Sequence, residues 1–406
     1  MKISLESAFS SKRISTYLFY LPRTVLSYPF VFLASLILLR FNARDLITFG
    51  IFITLFIVSY FINSINFEVK IEHFFLEIIF LFPLLFFIST LGKGIRISET
   101  DLRFFCFLAL FLSLANITFF YGFPFRLPYI DYSQDEFSAF FYGGGPKIMA
   151  VIGFVGLMYE LFVVESENKS IFWISISLGN LIIPSYVTGI AIATLAISLS
   201  SIVFIIRNSN RFSFGYFFVF LFFILVVINI FALRIDGFGR GTNFFQEIGT
   251  IPKIMNWSLL IEAFRENPLA LFFGFGIGQY TSEVGMWSLN LMGNKSPIDF
   301  EMTEPVQQYF YPLILDIFIF NRGYMSTISG PDSSFVTIFA EMGVITGTLF
   351  LTFFCSTIYK NLRWNYPLMV GVLTFYFLFL LVDNQHDNII FAYPFIFSIL
   401  AFKNKK

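Results

Sequence analysis

Long apolar runs recur along this chain, near positions 24–39, 46–62, 74–91, 103–121, 148–164, 170–185, 187–206, 213–233, 335–356, 366–382 and 387–402. About 20 apolar residues cross the roughly 30 Å hydrocarbon layer of a bilayer, where every backbone amide must be satisfied within its own helix. The runs therefore predict an all-α fold, a polytopic transmembrane helical bundle of about eleven to twelve helices. Two polar stretches separate them, a shorter one at 122–147 and a long one at 234–334. The chain then divides into N-terminal transmembrane helices at 1–233 with a loop at 122–147, a large loop at 234–334 containing short helices, and C-terminal transmembrane helices at 335–406. A connection of about a hundred residues is too long to be passive in a compact bundle. Within it, 254–264 reads as a helix and 309–320 as an aromatic segment suited to the membrane surface.

Basic residues set the orientation, because short cytoplasmic loops hold the excess of Lys and Arg. Lys403, Lys405 and Lys406, then Lys360 with Arg363, Arg207 with Arg211, and Lys93 with Arg96 and Arg103 mark every second loop as inside. The intervening loops carry more acid than base. Arg126 and Lys147 face Asp131, Asp135 and Glu136 in the first, and six basic residues stand against ten acidic ones in the second, so both belong outside. The front of the chain breaks this alternation, since eleven crossings with a cytoplasmic tail would leave Lys2, Lys12, Arg13 and Arg23 outside. The long segment 14–39, interrupted by Pro22, Arg23 and Pro29, has room for a further short or re-entrant helix that restores the parity.

Composition sharpens this picture only in places. With 57% hydrophobic and 13% charged residues, the chain lacks the polar surface that a soluble globule of its size requires. Its 26 basic and 26 acidic residues balance, so global charge points to no nucleic-acid partner. Cys106 and Cys355 sit in apolar runs, which excludes a disulfide framework or thiolate cluster. No small-residue cleavage site follows the N-terminal lysines, so no removable signal is expected. The absence of an internal repeat counts against an inverted-repeat transporter.

Inside the long loop runs NWSLLIEAFRENPLALFFGFGIGQYTSE at 256–283, followed by PDSSFVTIFAEMGVITGTLFL at 331–351. This pairing resembles the superfamily of O-antigen polymerases (Wzy) and O-antigen ligases. Their periplasmic loop has a Trp-led helix, Asn-Pro-Leu, a Gly-x-Gly-x-Gly turn, and a polar motif opening a Glu-x-Gly-x-x-Gly-like helix. The matching positions are Trp257, Asn267, Pro268, Leu269, Gly274, Gly276, Gly278, Asp332, Ser333, Ser334, Glu341, Gly343 and Gly347. The stretch 126–147 is similar to the family's earlier outer loop, and the resemblance covers 126–356 in outline. Thr188 and Gly189 sit at a family-like turn that here lacks its arginine. Asp332 stands where ligases tend to carry histidine, which favours a polymerase.

The resemblance implies a metal-independent, cofactor-free glycosyltransferase-type enzyme in the bacterial inner (cytoplasmic) membrane. It would join undecaprenyl-diphosphate-linked oligosaccharide repeat units into O-antigen or a related surface polysaccharide on the periplasmic face. The neighbouring alternative is a ligase passing glycan to lipid A core, and a more distant one is a polysaccharide flippase or transporter. Expected partners are the lipid-linked glycan, membrane lipid and a chain-length regulator protein, with no nucleic acid.

Such chemistry needs cations for the diphosphate, and the planar arginine fork suits phosphate oxygens. Arg240, flanked by glycines in DGFGRGT, is the first candidate, with Arg234, Arg126 and Arg265 beside it. A carboxylate can take the proton of the attacking sugar hydroxyl. Asp332 is the first choice and Glu341 the second, although Asp332 has an alternative account as a helix N-cap and Glu341 as a packing residue. His73 and His386 fall in outer loops, where each reads as a solvated residue with a role as base the alternative, and Glu77 and Glu160 lie in apolar runs as acids suited to the bundle interior, with a role in a substrate pathway the alternative. GFGIG lacks the strand before and the Gly-Lys-Ser/Thr after that a nucleotide loop requires. Asp299, Glu301 and Glu304 read as a solvated acidic loop rather than a cation site.

Overall fold

The computed structural model describes residues 43–75, 77–78, 98–121, 145–184, 187–207, 252–280, 303–310, 312, 333–382, 399 and 402. Among these the ordered elements are helices, with no strand. In chain order the α-helices are α1 (Ala43–Phe67), α2 (Glu99–Tyr121), α3 (Gly145–Phe162), α4 (Ile171–Ile182), α5 (Val187–Arg207), α6 (Pro252–Glu266), α7 (Pro268–Phe273), α8 (Glu304–Tyr309), α9 (Ser334–Leu362) and α10 (Tyr366–Val382). The expected runs at 24–39, 213–233 and 387–402 and most of that at 74–91 lie outside the described residues, apart from isolated positions.

Among the described residues, three helices hold stretches long and apolar enough to cross a membrane, Gly50–Phe67 in α1, Thr188–Arg207 in α5 and Ser334–Leu362 in α9. The run at 170–185 is different. Its helix α4 has 12 residues, about 18 Å of rise, which falls short of a crossing on its own. A turn at Ile183–Pro184 closes it, where the N–H of Ile183 donates to the carbonyl of Gly179.

Helix packing follows the small residues. A Cβ on Gly153 of α3 would lie 2.6 Å from the backbone N of Leu181, so that glycine lets α3 and α4 approach backbone to backbone. Gly371 of α10 leaves room instead for two side chains, the hydroxyl of Ser200 from α5 and the thioether of Met158 from α3. Between these contacts Phe154 and Phe375 stack with centroids 3.9 Å apart, at the centre of the larger apolar core. A second core gathers Leu260, Ala263, Ala270, Phe275, Tyr280, Val306 and Phe310 against Val336 and Ala340 of α9.

Polar contacts collect at one end of the bundle. Arg103 of α2 grips the buried Glu160 of α3 with two bonds, Nε to Oε1 at 2.7 Å and a second nitrogen to Oε2 at 2.9 Å. Lys169 donates to the carbonyl of Leu161 and Asn365 to that of Phe162, closing the last turn of α3. The guanidinium of Arg207 lies 3.7 Å over the ring of Tyr366. Arg103, Arg207 and Lys169 thus lie at the junctions of α2, α3, α5 and α10.

Candidate functional site

Helix α6 ends where Pro268 forbids its continuation. Asn267 bridges to α7, its backbone N–H donating to the carbonyl of Ala263, and Pro268 occupies the first turn of the next helix. Helix α7 lasts six residues and gives way at Gly274 to the loop GFGIGQY, in which Gly274, Gly276 and Gly278 all have positive φ.

This loop enters a break in α9. Gly343 has φ 69° and ψ 178°, so the helix is interrupted there. The carbonyl of Ala340, whose intrahelical partner would be the N–H of Val344 beyond the break, accepts instead from Phe275 N–H at 2.7 Å. Gly274 and Gly343 meet backbone to backbone. A Cβ on Gly274 would sit 2.2 Å from the carbonyl oxygen of Glu341, and one on Gly343 would sit 2.4 Å from the carbonyl of Phe272. Both positions have left-handed φ, so glycine is required twice over, for conformation and for space.

Glu341 completes the interlock. Its Oε2 accepts the N–H of Gly278 and its Oε1 that of Tyr280, each at 2.8 Å, and the side chain is fully buried. The expectation that Glu341 serves as a proton acceptor meets a carboxylate whose two oxygens are both engaged by backbone donors. Hydrogen bonds of this kind to an ionised acceptor are among the stronger ones in proteins.

From below, α1 supports the same turn. Ser59 Oγ donates to the carbonyl of Phe273 at 2.6 Å, and Asn63 Nδ2 donates to that carbonyl at 3.3 Å and to Ser59 Oγ at 3.1 Å. Phe275 inserts among Phe67, Phe264 and Phe310. Tyr280 is fully buried edge-on to Phe310, with its hydroxyl donating to Asn256 of α6. Trp257 packs at 6.2 Å from Phe339 of α9, so the Trp-led helix and the Glu-x-Gly helix touch directly.

Gln279 reaches the opposite way. Its Oε1 accepts the backbone N–H of Thr303 at 3.0 Å, which leaves Nε2 to donate to Nδ1 of His73. An amide donor at this position calls for an acceptor at Nδ1, the role that nitrogen has in neutral His73 protonated on Nε2. Burial, then the charge of Lys70, lower its pKa to about 4 against an opposing contribution from Glu72. The expectation of a solvated His73 is corrected here: its side chain is fully buried against Gln279 of the glycine loop.

Of the other expected site residues, Arg265 is exposed in the last turn of α6. Arg126, Arg234, Arg240 and Asp332 lie outside the described residues, as does His386. The N-cap of α9 is Ser333, with extended φ and ψ, so the capping position expected for Asp332 belongs to its neighbour. Glu77 is fully buried, and Glu160 is held by Arg103. Sequence reasoning passed over Ser59, Asn63, Asn256, Gln279 and Thr303. The spacing of Ser59 and Asn63, four apart on one face of an apolar helix, was the available signal.

Comparison with family models, with curated proteins and with solved structures gives no match to this chain.

Proposed function

We propose that this chain is a multi-pass inner-membrane polymerase that joins polyprenyl-diphosphate-linked oligosaccharide repeat units on the periplasmic face. One observation carries the reading. The Gly-x-Gly-x-Gly turn and the Glu-x-Gly helix, separated by 63 residues between Gly278 and Glu341, lock into one unit through both oxygens of that glutamate. Motif elements matched separately along the sequence thus belong to a single device, which supports treating the ordered set as meaningful. Eleven to twelve crossings and a periplasmic placement of 234–334 belong to this proposal.

In the reaction, an acceptor sugar hydroxyl attacks the anomeric carbon of the donor glycan. The bond from that carbon to the phosphate oxygen breaks, and the lipid diphosphate departs with the bonding electrons. Arg240, Arg234, Arg126 and Arg265 are assigned to the diphosphate, whose charge rises as it leaves. Asp332 is assigned to the hydroxyl proton, since Ser333 takes the capping position and Glu341 is committed to the loop.

Arg240→Ala and Asp332→Ala, expressed in cells lacking the native gene, test this through the lipopolysaccharide ladder. Loss of long chains with a single repeat still on the core supports the polymerase. Loss of even that single repeat makes the protein a ligase, and a full ladder from both variants removes these residues from the site.

A further inference from the structure

We infer that residues 267–280 form a re-entrant segment that dips into the outer half of the bilayer and is latched there by Glu341, rather than lying in the aqueous loop. The inference goes beyond the proposed reaction and rests on one part of that reading, that α1, α5 and α9 cross the membrane.

Depth comes from the contacts. Ser59, which bonds the carbonyl of Phe273, lies eight residues before the end of α1, about 12 Å along the helix axis. Asn63, on the same carbonyl, is four residues nearer that end. Both fall inside the Gly50–Phe67 stretch. On the other side, Glu341 lies seven residues into α9, about 10 Å from its start, inside the Ser334–Leu362 stretch. Two helices thus hold the tip of α7 and its glycine loop at a similar depth. Half of a hydrocarbon layer is about 15 Å, so that depth is below the headgroups.

The chemistry of the segment agrees. Irregular backbone is tolerated in hydrocarbon only where its polar groups are satisfied by protein. Here Phe273 C=O, Phe275 N–H, Gly278 N–H and Tyr280 N–H all have partners on α1 or α9. The outward face of α7 is apolar, with Leu269 52%, Leu271 37% and Phe272 47% exposed. In water that face would be a liability on a six-residue helix; at this depth acyl chains cover it. Glu262, Arg265 and Glu266, all within about two turns before α7, remain exposed where the headgroups would lie.

Single cysteines at Leu195, Leu271, Phe272 and Glu304, placed in a chain carrying Cys106→Ala and Cys355→Ala, test the inference. Membrane fragments open on both faces are treated with a water-soluble maleimide, with SDS-denatured samples as the reference. Leu195, 52% exposed in the middle of α5, reports on the crossing helices alone. The expected result is fast labelling of Glu304→Cys and labelling at least tenfold slower at Leu195→Cys, Leu271→Cys and Phe272→Cys. Protection at Leu195→Cys with fast labelling at Leu271→Cys and Phe272→Cys overturns the re-entrant segment while leaving the crossing helices intact. Fast labelling at all of them overturns the membrane reading and the inference with it. Adding Glu341→Ala to Phe272→Cys should raise its labelling at least fivefold with Leu195→Cys unchanged, and Glu341→Gln, which keeps one acceptor, should raise it less. Unaltered protection of Phe272→Cys in both variants removes the latch.

Discussion

Gly274 and Gly343 show how much a single missing side chain can decide. An alanine at Gly274 would place its Cβ 2.2 Å from the backbone oxygen of Glu341 at a left-handed φ, with no flexible neighbour to give way. Strain of this kind and backbone overlap together should cost about 3 kcal/mol or more. Gly50 is the counter-example, since nothing lies within 4 Å of an added Cβ in the apolar stretch of α1. Gly274→Ala should lose folded protein in a detergent thermal-shift measurement, whereas Gly50→Ala should match the parent or gain up to about 1 kcal/mol from helix propensity. His73 offers a pH-dependent counterpart. Its pKa of about 4 in the folded protein lies below the ordinary 6.5. Between those values the unfolded chain binds a proton that the folded chain refuses, so the contribution of His73 to stability is full above pH 6.5 and declines as pH falls toward 4. The melting-temperature gap between the parent and His73→Gln should therefore be widest near pH 7.5 and shrink by pH 4.5. A gap that stays constant over that range would show that the histidine does not titrate as its surroundings dictate.

At the level of elements, the sequence made the apolar helices legible because burial in lipid demands one thing, an unbroken run. Helices α1, α5 and α10 fall close to the expected runs at 46–62, 187–206 and 366–382. The Trp-led helix at 254–264 lies within α6. What the runs could not show was where a helix is short or broken. Helix α4 stops at Ile182, short of Pro184 and inside the expected run at 170–185, and α9 breaks at Gly343, where a loop more than 60 residues earlier in sequence supplies the replacement hydrogen bond. The glycine turn was legible as a motif, since its residues are set by local backbone needs. Its partners were not, because Ser59, His73 and Thr303 each reach the turn only through tertiary packing, which is also why the burial of His73 is not legible in the sequence. Glu160 was expected to face the interior and does, but Arg103 gives it a packing role. Arg103→Met should cost on the order of 3 kcal/mol by leaving that carboxylate buried without its cation. The double variant Arg103→Met with Glu160→Met should recover most of the loss, and no recovery in thermal unfolding would argue against the pair as the source of the cost.

For the molecule as a whole, the contacts sort the helix ends into two groups without reference to a membrane. Arg103–Glu160, Asn365–Phe162 and Arg207–Tyr366 tie the start of α2, the end of α3, the end of α5 and the start of α10 to one side. Ser333 at the start of α9 meets the carbonyl of Leu380 near the end of α10, and the end of α1 meets the glycine loop, which places Gln279, His73 and Thr303 toward the other. The first group holds the basic residues that short cytoplasmic loops accumulate, so the polarity of the packed helices and that of the charges agree. The turn containing Glu167, exposed between α3 and α4, should then face the cytoplasm, and the exposed Gln307 of α8 the periplasm. In spheroplasts, an impermeant thiol reagent should modify Gln307→Cys from outside and reach Glu167→Cys only after the membrane is opened. The reverse pattern would turn the glycine loop and its arginine-bearing flanks toward the cytosol, away from a donor presented on the outer leaflet. A polymerase of the proposed kind could not work in that orientation, however well Glu341 held its loop.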